Sequence, residues 1–311
     1  MVTGTGFLGS YVVSDLLKEG YDEKPIFFGT ARQSDAISDV IDLRKVNLVK
    51  GDILDAEKLK EAIRTNDVKT IVHTAGVLIS GARDNPALAV KTNVIGTLNV
   101  LEIARQLGLE KVVYSSSGQP YRMLNPYDTL PANGPVNEDA PTLPGNVYGT
   151  TKLACENLGL NYANIYGVGF IALRMPTVYG AWIGDMGRAG VIRDIAVAAV
   201  ERKPIEVSEY ESEWSYVRDM AHSCTLALKA KGVRKGVFNV GSGRIDSVTS
   251  FKEEIEKQAG GTSGITIKPV NNPKRFPTDF SKAKRELGYQ PNYGVKEAVS
   301  EIVAWAKRHY T

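Results

Sequence analysis

Two side chains near the middle of the chain, the Tyr148 phenol and the Lys152 ammonium, have the types and the spacing for proton-transfer chemistry. They open an apolar-periodic run after a proline-rich segment, which predicts that they begin a helix. Residues four apart lie on one helical face, so the two groups can share a site. A nearby cation lowers the pKa of a tyrosine, and a phenol tuned in this way can exchange a proton with a substrate hydroxyl. Taken alone, such a pair is more often two surface neighbours, so the interpretation depends on the rest of the chain.

A run of three serines ends an apolar stretch, Lys111–Ser117, that is typical of a buried strand. A hydroxyl at the carboxyl end of a strand faces the ligand crevice of an open parallel sheet, which makes Ser117 a candidate site residue. The following segment, 118–146, is long and contains six prolines. Because long loops in compact domains are often functional, we expect this one to wall the active site.

The chain opens on a glycine-rich turn between the end of a strand and the start of a helix. Gly4, Gly6 and Gly9 form a Gly-x-Gly-x-x-Gly pattern, and helical periodicity follows as far as Gly20. Such glycines let the backbone approach a pyrophosphate, whose charge the amides of the helix N-terminus stabilise. The pattern is weak by itself, and only a stub of strand precedes it.

The next strands bear on the choice of dinucleotide. Residues 24–29 predict a second buried strand, which ends without the acidic residue that holds the ribose hydroxyls of NAD. The nearby Arg32 can accommodate a 2′-phosphate, which favours NADP over NAD, although a solvated arginine in a turn is an equally good interpretation. A third strand ends at Asp52, a candidate partner of the adenine amino group.

Small residues at 74–76 follow the fourth predicted strand, where they would let the backbone lie against a cofactor. A long helix is predicted over 86–108 and carries Asn93 among apolar neighbours. A buried asparagine destabilises the fold unless its amide is paired. Asn93 is therefore either a structural bridge to the next strand or part of a water relay beside the cofactor.

Strand and helix alternate as far as a sixth strand at 169–174, which predicts an α/β fold with a doubly wound, Rossmann-like parallel sheet. We expect residues 1–174 to form the dinucleotide-binding domain. Residues 175–311 are expected to form mainly a smaller α/β substrate-binding part, with 217–241 returning to the first domain.

The composition argues against several kinds of protein. The 311 residues are 43% hydrophobic and 23% charged, with a net charge of +3 spread along the chain, which argues against a nucleic-acid surface. The three histidines are far apart, and the two cysteines lie in helix-like runs, so we predict no metal site. No apolar stretch is expected to reach the length of a membrane span, and no leader is recognised, so we expect a cytoplasmic protein without a membrane partner.

In their order and spacing these stretches resemble the extended short-chain dehydrogenase/reductase family, also called the NAD-dependent epimerase/dehydratase family. The resemblance covers nearly the whole chain. It rests on the glycine-rich opening, 51–53, 73–76, the triple serine, 148–152, 173–180, 238–241 and 279–289.

The resemblance implies a role for each of the three residues considered first. Tyr148 would be the general acid/base, Lys152 would bind the nicotinamide ribose and lower the pKa of Tyr148, and Ser117 would hydrogen-bond the substrate oxygen. The candidate cofactor-binding residues are Gly4, Gly6, Phe7, Leu8, Gly9, Arg32, Asp52, Ile53, Thr74, Ala75, Gly76, Asn93, Ser115, Tyr148, Lys152, Met175, Pro176 and Val178. The candidate substrate-binding residues are Val77, Ser117, Gly118, Tyr148 and Thr177.

The activity that the resemblance implies is that of an NAD(P)-dependent oxidoreductase or epimerase, with hydride transfer at a hydroxyl or keto carbon of a sugar-like or nucleotide-sugar substrate. Dehydratases of the family place an acid directly after the active-site hydroxyl, whereas Gly118 follows Ser117, so we expect no elimination chemistry. The alternative is a non-catalytic dinucleotide sensor, but such relatives commonly lose the tyrosine or the lysine. The resemblance also implies a homodimer through the helices at 86–108 and 148–166.

One departure from the family concerns the substrate. Its nucleotide-sugar enzymes often carry an arginine for the diphosphate shortly before the equivalent of 216–219. Residues 211–214 here read Glu-Ser-Glu-Trp, and two carboxylates repel a diphosphate. Arg188, Arg193 and Arg275 are candidate substitutes for the missing cation.

Overall fold

The computed structural model describes residues 1–21, 24–30, 35–121, 134–182, 187–261, 264–270 and 276–311. Its strands are mostly short. They are β1 Val2–Thr3, β2 Ile26–Gly29, β3 Asn47–Lys50, β4 Thr70–His73, β5 Lys111–Ser117, β6 Gly169–Met175, β7 Thr177–Tyr179, β8 Ile205–Ser208, β9 Glu211–Ser212, β10 Trp214–Tyr216, β11 Lys235–Asn239, β12 Asp246–Ser247 and β13 Ile265–Lys268.

The helices alternate with these strands through the first half of the chain. They are α1 Phe7–Lys18, α2 Asp35–Ser38, α3 Ala56–Thr65, α4 Ile79–Asp84, α5 Pro86–Ala89, α6 Gly96–Leu107, α7 Val147–Tyr166, α8 Val191–Glu201, α9 Val217–Lys229, α10 Val248–Ala259, α11 Ser281–Leu287 and α12 Val295–Tyr310. A π-helical stretch, Val90–Ile95, joins α5 to α6, so the predicted long helix is one continuous element.

Seven parallel strands form the central sheet, in the order β11-β6-β5-β4-β1-β2-β3. The strand order reverses between β1 and β4, which makes the carboxyl ends of these two strands a topological switch point. All seven residues of β5 and all seven of β6 are buried, as expected where helices cover both faces of a parallel sheet. The predicted doubly wound, Rossmann-like fold is confirmed.

The apolar core lies on both faces of this sheet. Val112 and Val113 of β5 belong to different hydrophobic clusters, because successive side chains of a strand point to opposite faces. The cluster around Val113 includes residues of α1, α9 and α12, and the cluster around Val112 includes residues of α3, α6 and α7. The sheet therefore holds α1 and α7, the two helices that carry the candidate site, on opposite sides.

The second half of the chain adds three two-stranded sheets, which pair β7 with β10, β9 with β12 and β8 with β13. Strand β11 nevertheless pairs with β6 in the central sheet, and α9 packs against α1. Residues 217–239 thus lie with the first half of the chain. The domain boundary at residue 174 stays a prediction.

The helix over Pro86–Leu107 is long and apolar enough to cross a membrane by length and composition, with a mean hydropathy of 1.2. The expectation that no stretch reaches that length was therefore wrong by this measure. In the fold, 44% of the apolar 18-residue stretch of this helix is buried. The helix packs against α3 and α7, as a core helix does. The absence of a membrane partner and the cytoplasmic location stay predictions.

Candidate active site

A cleft of about 1080 Å³ runs along the carboxyl edge of the central sheet and across the switch point. Both the sheet and the second half of the chain contribute to its walls. Of the predicted site residues, it is lined by Gly4, Gly6, Phe7, Leu8, Gly9, Asp52, Ile53, Thr74, Ala75, Gly76, Ser115, Ser117, Gly118, Tyr148, Lys152, Met175, Pro176, Thr177 and Val178. The fold brings these residues together, while their individual binding roles stay predictions.

The glycines of the N-terminal turn differ in the space that a side chain would find there. A Cβ on Gly4, whose φ is +95°, would lie 2.6 Å from the backbone nitrogen of Ala75, and one on Gly9 would lie 2.0 Å from the Gly4 oxygen. A Cβ on Gly6 would meet no described atom within 4 Å. Gly6 is also the N-cap residue of α1, and within the described chain no side chain caps that helix. The first amides of α1 are thus available to an anion, so the turn fits the pyrophosphate of a dinucleotide.

Asn146 fixes the start of α7. Its side-chain oxygen accepts a hydrogen bond of 2.8 Å from the backbone N–H of Gly149, as an N-cap residue does. Tyr148 and Lys152 therefore fall in the first turns of α7, where they are 8% and 4% exposed. The Ser117 hydroxyl lies near enough to the Tyr148 phenol to lower its pKa. The three predicted catalytic residues thus meet where β5 ends against α7.

Burial has the largest effect on the pKa values of Tyr148 and Lys152. It raises the pKa of Tyr148 to about 12, and the hydrogen bond with Ser117 acts in the opposite direction. Lys152 Nζ lies 5.6 Å from the centre of the Tyr148 ring and donates a hydrogen bond of 2.7 Å to the backbone oxygen of Ser115. Burial lowers the pKa of Lys152 to about 8. The predicted lowering of the Tyr148 pKa is therefore wrong for this structure, because burial dominates and Lys152 is not among the groups that shift this pKa.

Two predicted site residues do not line the cleft. Asn93 is 1% exposed, its Oδ1 accepts from the backbone N–H of Val77 at 2.7 Å, and its Nδ2 donates to the Val77 oxygen and to Thr151 Oγ1, both at 3.0 Å. Asn93 is thus the structural bridge between the end of β4 and α7. The Val77 side chain packs against the cluster of Ala82, Ala89 and Tyr148 instead of facing the cleft.

His73, at the end of β4, is fully buried between two threonine hydroxyls. Its Nδ1 lies 2.6 Å from Thr3 Oγ1 and its Nε2 lies 3.0 Å from Thr97 Oγ1. Burial lowers the pKa of His73 to about 3, so the ring is neutral and structural. Among the described residues, no group of three or more histidine, cysteine or carboxylate side chains is placed to hold a metal ion.

A buried ion pair contacts the serine run at the end of β5. Arg174 Nη2 lies 2.7 Å from Glu156 Oε2, and the two side chains are 6% and 1% exposed. Ser116, between the two serines of the site, donates a hydrogen bond of 2.5 Å to Glu156 Oε1. The guanidinium lies 4.5 Å from the centre of the Tyr121 ring, which lines the cleft. The partners lie on different elements, α7 and β6, so no local sequence pattern indicates this pair.

Further residues of the second half of the chain line the cleft, and among them the sequence indicated only part of the acidic stretch 211–214. They are Tyr210, Glu211, Ser212, Glu213, Ile245, Phe276 and Thr278. They come from segments far apart in sequence, so only the tertiary fold brings them together.

Of the arginines that were predicted to act on a ligand, the structure describes the side chain of Arg193. Arg193 forms an ion pair of 2.5 Å with Asp194 and does not line the cleft. Arg32, Arg275 and the side chain of Arg188 lie outside the described residues. The predicted preference for NADP therefore has no structural support.

A Rossmann-like sheet with an open glycine turn and a Ser-Tyr-Lys group at its carboxyl edge defines a class of NAD-dependent enzymes, the extended short-chain dehydrogenases/reductases. The chain belongs to the NAD-dependent epimerase/dehydratase family, whose family model matches residues 1–241.

The chain is similar to characterised members over almost its full length. The UDP-glucose 4-epimerase of Halalkalibacterium halodurans is 29% identical over 330 residues, which cover 98% of this chain and 94% of the relative. The crystal structure of the Thermus thermophilus UDP-glucose 4-epimerase in complex with NAD matches with a TM-score of 0.84 and 25% identity, covering 99% and 98% of the two chains.

Dehydratases are also among the neighbours. The structure of dTDP-glucose 4,6-dehydratase from Bacillus anthracis in complex with NAD has a TM-score of 0.83 and 25% identity, covering 99% of this chain and 96% of that one. The expectation that dehydration is excluded therefore stays a prediction. Both solved neighbours hold NAD, which supports NAD and gives no support to NADP.

Proposed function

We propose that the protein catalyses NAD-dependent redox chemistry at a hydroxyl-bearing carbon of a sugar-like substrate, with Tyr148 as general acid/base. The observation that carries the proposal is the meeting of the Ser117, Tyr148 and Lys152 side chains in the wall of a cleft that also contains the glycine turn. The names of the relatives favour the internal form of this chemistry, epimerisation, over net oxidation.

The residues of the cleft have separate tasks in this proposal. The Gly6 turn and the amides of α1 would hold the pyrophosphate of NAD, whose nicotinamide would supply the hydride acceptor. Ser117 donates a hydrogen bond to the substrate oxygen, and Tyr148 takes the proton of the substrate hydroxyl at its phenolic oxygen. The Lys152 ammonium holds the end of β5 through the Ser115 oxygen, and it would bind the nicotinamide ribose hydroxyls.

The test removes only the phenolic hydroxyl. Tyr148→Phe keeps the ring and its packing, so we expect turnover to fall by about 10²–10⁴ while NAD binding stays unchanged. Turnover is followed by nicotinamide absorbance for net oxidation and by chromatography of the sugar products for epimerisation. Undiminished turnover in this variant would refute the role of Tyr148, and tight NAD binding without turnover of any sugar or alcohol would favour the sensor alternative.

The proposal includes a homodimer. Exposed apolar side chains lie along the helix over Pro86–Leu107 and at the end of α7, where soluble helices normally carry polar residues. Leu88, Val90, Ile95, Ile165 and Tyr166 are between 45% and 67% exposed. A second copy packed on these helices would bury them. Scattering in solution that gives the mass of one chain would reject the dimer, and Ile165→Lys is expected to shift the equilibrium toward monomer.

A further inference from the structure

We propose that Gln119 is a positioning residue for the reaction, which acts with Asn146 to hold the Ser117 hydroxyl against the Tyr148 phenol. The inference rests on the proposed function, because it concerns the two groups that would handle the proton. It follows from a chain of hydrogen bonds that runs from Ser117, at the end of β5, through Gln119 and Asn146 to the first turn of α7.

The first hydrogen bond of this chain fixes the direction of the Ser117 hydroxyl. The backbone N–H of Gln119 donates to Ser117 Oγ over 3.2 Å. A serine hydroxyl has one proton to donate and two lone pairs that accept. Because Gln119 presents a donor, the Ser117 proton points away from it and stays available to a partner in the cleft, which Ser117 lines.

The Gln119 side chain makes the second hydrogen bond. Its Oε1 accepts from Asn146 Nδ2 over 3.0 Å. Asn146 Oδ1 already accepts from the backbone N–H of Gly149 at 2.8 Å, so the Nδ2 side of this amide faces Gln119. An asparagine held in this way requires an acceptor opposite it, and the Gln119 oxygen is that acceptor. The cap of α7 therefore holds the Gln119 carboxamide in one orientation.

Backbone packing holds the same two segments together. A Cβ on Gly149, the residue after Tyr148, would lie 2.9 Å from the backbone oxygen of Gln119, so the close approach of α7 requires a glycine there. Gln119 also begins a single 3-10 turn, Gln119–Tyr121, whose last two residues are buried. Both sides of the contact between Gln119 and Asn146 are thus anchored in the fold, so a shift of one side moves the other.

The bridge between Gln119 and Asn146 complements a second contact on the same helix. Lys152 Nζ donates to the Ser115 oxygen, and this contact lies one turn after Tyr148. The bridge lies at the start of α7, before Tyr148. The two contacts thus bracket the phenol along the helix and fix it relative to the end of β5. Such a constellation must be held within about 0.5 Å of its productive geometry.

The first experiment is a double-mutant cycle on turnover, with UDP-glucose as the probe. Gln119→Met keeps the backbone N–H and the length of the side chain but removes the acceptor. Asn146→Ser keeps a cap on α7 but is too short to reach Gln119. Each change should lower kcat by about tenfold with KM and NAD affinity unchanged, because only the geometry of the transition state is lost. The double variant should be no slower than either single variant, since both remove the same bridge.

Asn85→Ser is the matched control for the loss of an asparagine cap. Asn85 caps α5 by accepting a hydrogen bond of 3.0 Å from the backbone N–H of Leu88, and it is exposed and does not line the cleft. The control should therefore turn over at the rate of the unmodified protein. Additive losses in the double variant, or full turnover in Gln119→Met, would overturn the inference while the proposed function stands.

The second experiment does not depend on turnover or on the choice of substrate. Crystal structures of the NAD-loaded unmodified protein and of Gln119→Met give the distance between Ser117 Oγ and the phenolic oxygen of Tyr148. The inference expects this distance to increase by about 0.5 Å or more in the variant. An unchanged distance would contradict it. If the distance increases while Tyr148→Phe remains fully active, the bridge positions the two groups and the proposed role of Tyr148 is wrong.

Discussion

The Lys152 ammonium donates a hydrogen bond of 2.7 Å to the backbone oxygen of Ser115. This contact joins α7, one turn after Tyr148, to β5, two residues before Ser117. It therefore holds the first turns of α7, which carry Tyr148, against the end of β5, which carries Ser117. Lys152 has a positioning role in addition to the cofactor role that the sequence predicts.

The buried ammonium should make stability depend on pH in a definite direction. Burial lowers the pKa of Lys152 to about 8 in the folded chain, from 10.5 in the unfolded chain. Between these values the unfolded state binds more protons, so the free energy of unfolding contributed by this residue rises as pH rises. Relative to Lys152→Met, the unmodified protein should gain about 3 kcal/mol between pH 7.5 and 10.5.

Urea denaturation of the two proteins at several pH values measures this difference. The exposed Lys231→Met variant is the control, and its difference from the unmodified protein should not change with pH. A pH-independent difference for Lys152→Met as well would show that burial does not perturb the ammonium.

Two glycine variants should separate stability from dinucleotide binding. Gly9→Ala places a Cβ 2.0 Å from the Gly4 oxygen, so it should lower the free energy of unfolding by about 1–3 kcal/mol through overpacking. Gly6→Ala meets no described atom within 4 Å, so it should fold normally and weaken NAD binding, because the methyl group projects toward the pyrophosphate position. Thermal melting and NAD titration distinguish the two effects, and equal melting points with equal NAD affinity would contradict this interpretation of the turn.

Removing one partner of the Glu156–Arg174 pair should lower the free energy of unfolding strongly, whereas replacing both with apolar side chains should lower it little. Glu156→Gln leaves a buried guanidinium without its partner and should lower the free energy of unfolding by about 3–5 kcal/mol. The double variant Glu156→Leu/Arg174→Met should recover most of that loss, since neither charge is then buried. In the exposed Arg285–Glu286 pair, Glu286→Gln should cost about 0–1 kcal/mol. Chemical denaturation of the three variants provides the measurement, and similar losses for Glu156→Gln and Glu286→Gln would be inconsistent with a buried pair.

A second ion pair joins α1 to α9. His222 Nδ1 lies 3.2 Å from Asp15 Oδ2, and the hydrogen bond to Asp15 raises the pKa of His222. A raised histidine pKa adds stability that is fully present below the unfolded value of about 6.5 and is lost as pH rises through the folded value. The pKa of Asp15 is lowered in the folded chain, so its carboxylate remains charged at pH 5.5.

Substitution of His222 tests this pair. The melting temperature of His222→Gln should be lower than that of the unmodified protein. This difference should be larger at pH 5.5 than at pH 8.5. A difference of the same size at both pH values would show that the pair is not charged. Because α1 carries the glycine turn, NAD affinity measured at the two pH values reports whether the same pair also supports cofactor binding.

The order of elements and the reacting end of the cleft could be predicted from the sequence, because they depend on local patterns. The serine run at the end of β5 and the Tyr148–Lys152 spacing on α7 are such patterns, and the parallel sheet brings their ends together. The direction of the Lys152 ammonium could not be predicted in this way, since it depends on the Ser115 oxygen on another element. The pKa of Tyr148 depends in turn on how completely the fold buries it.

Contacts between residues far apart in sequence explain the remaining differences between the sequence-based predictions and the structure. The sequence predicts Asn93 as a structural bridge or as a residue of a water relay, and the positions of Val77 and Thr151 show that it is the bridge. The acidic end of the cleft depends on Thr278, which lies 65 residues from Glu213 in sequence and hydrogen-bonds to it. No periodicity or short motif reports a contact over that separation.

The pairing of β11 with β6 has a consequence for engineering. The polypeptide leaves the central sheet after Met175, comes back with α9 and β11, and departs again after Asn239. The predicted substrate-binding part is therefore encoded in two separate stretches, 175–216 and 240–311. A chimera that swaps specificity with another member of the family has to exchange both stretches at once, since a single crossover would split the Glu213–Thr278 contact between two parents.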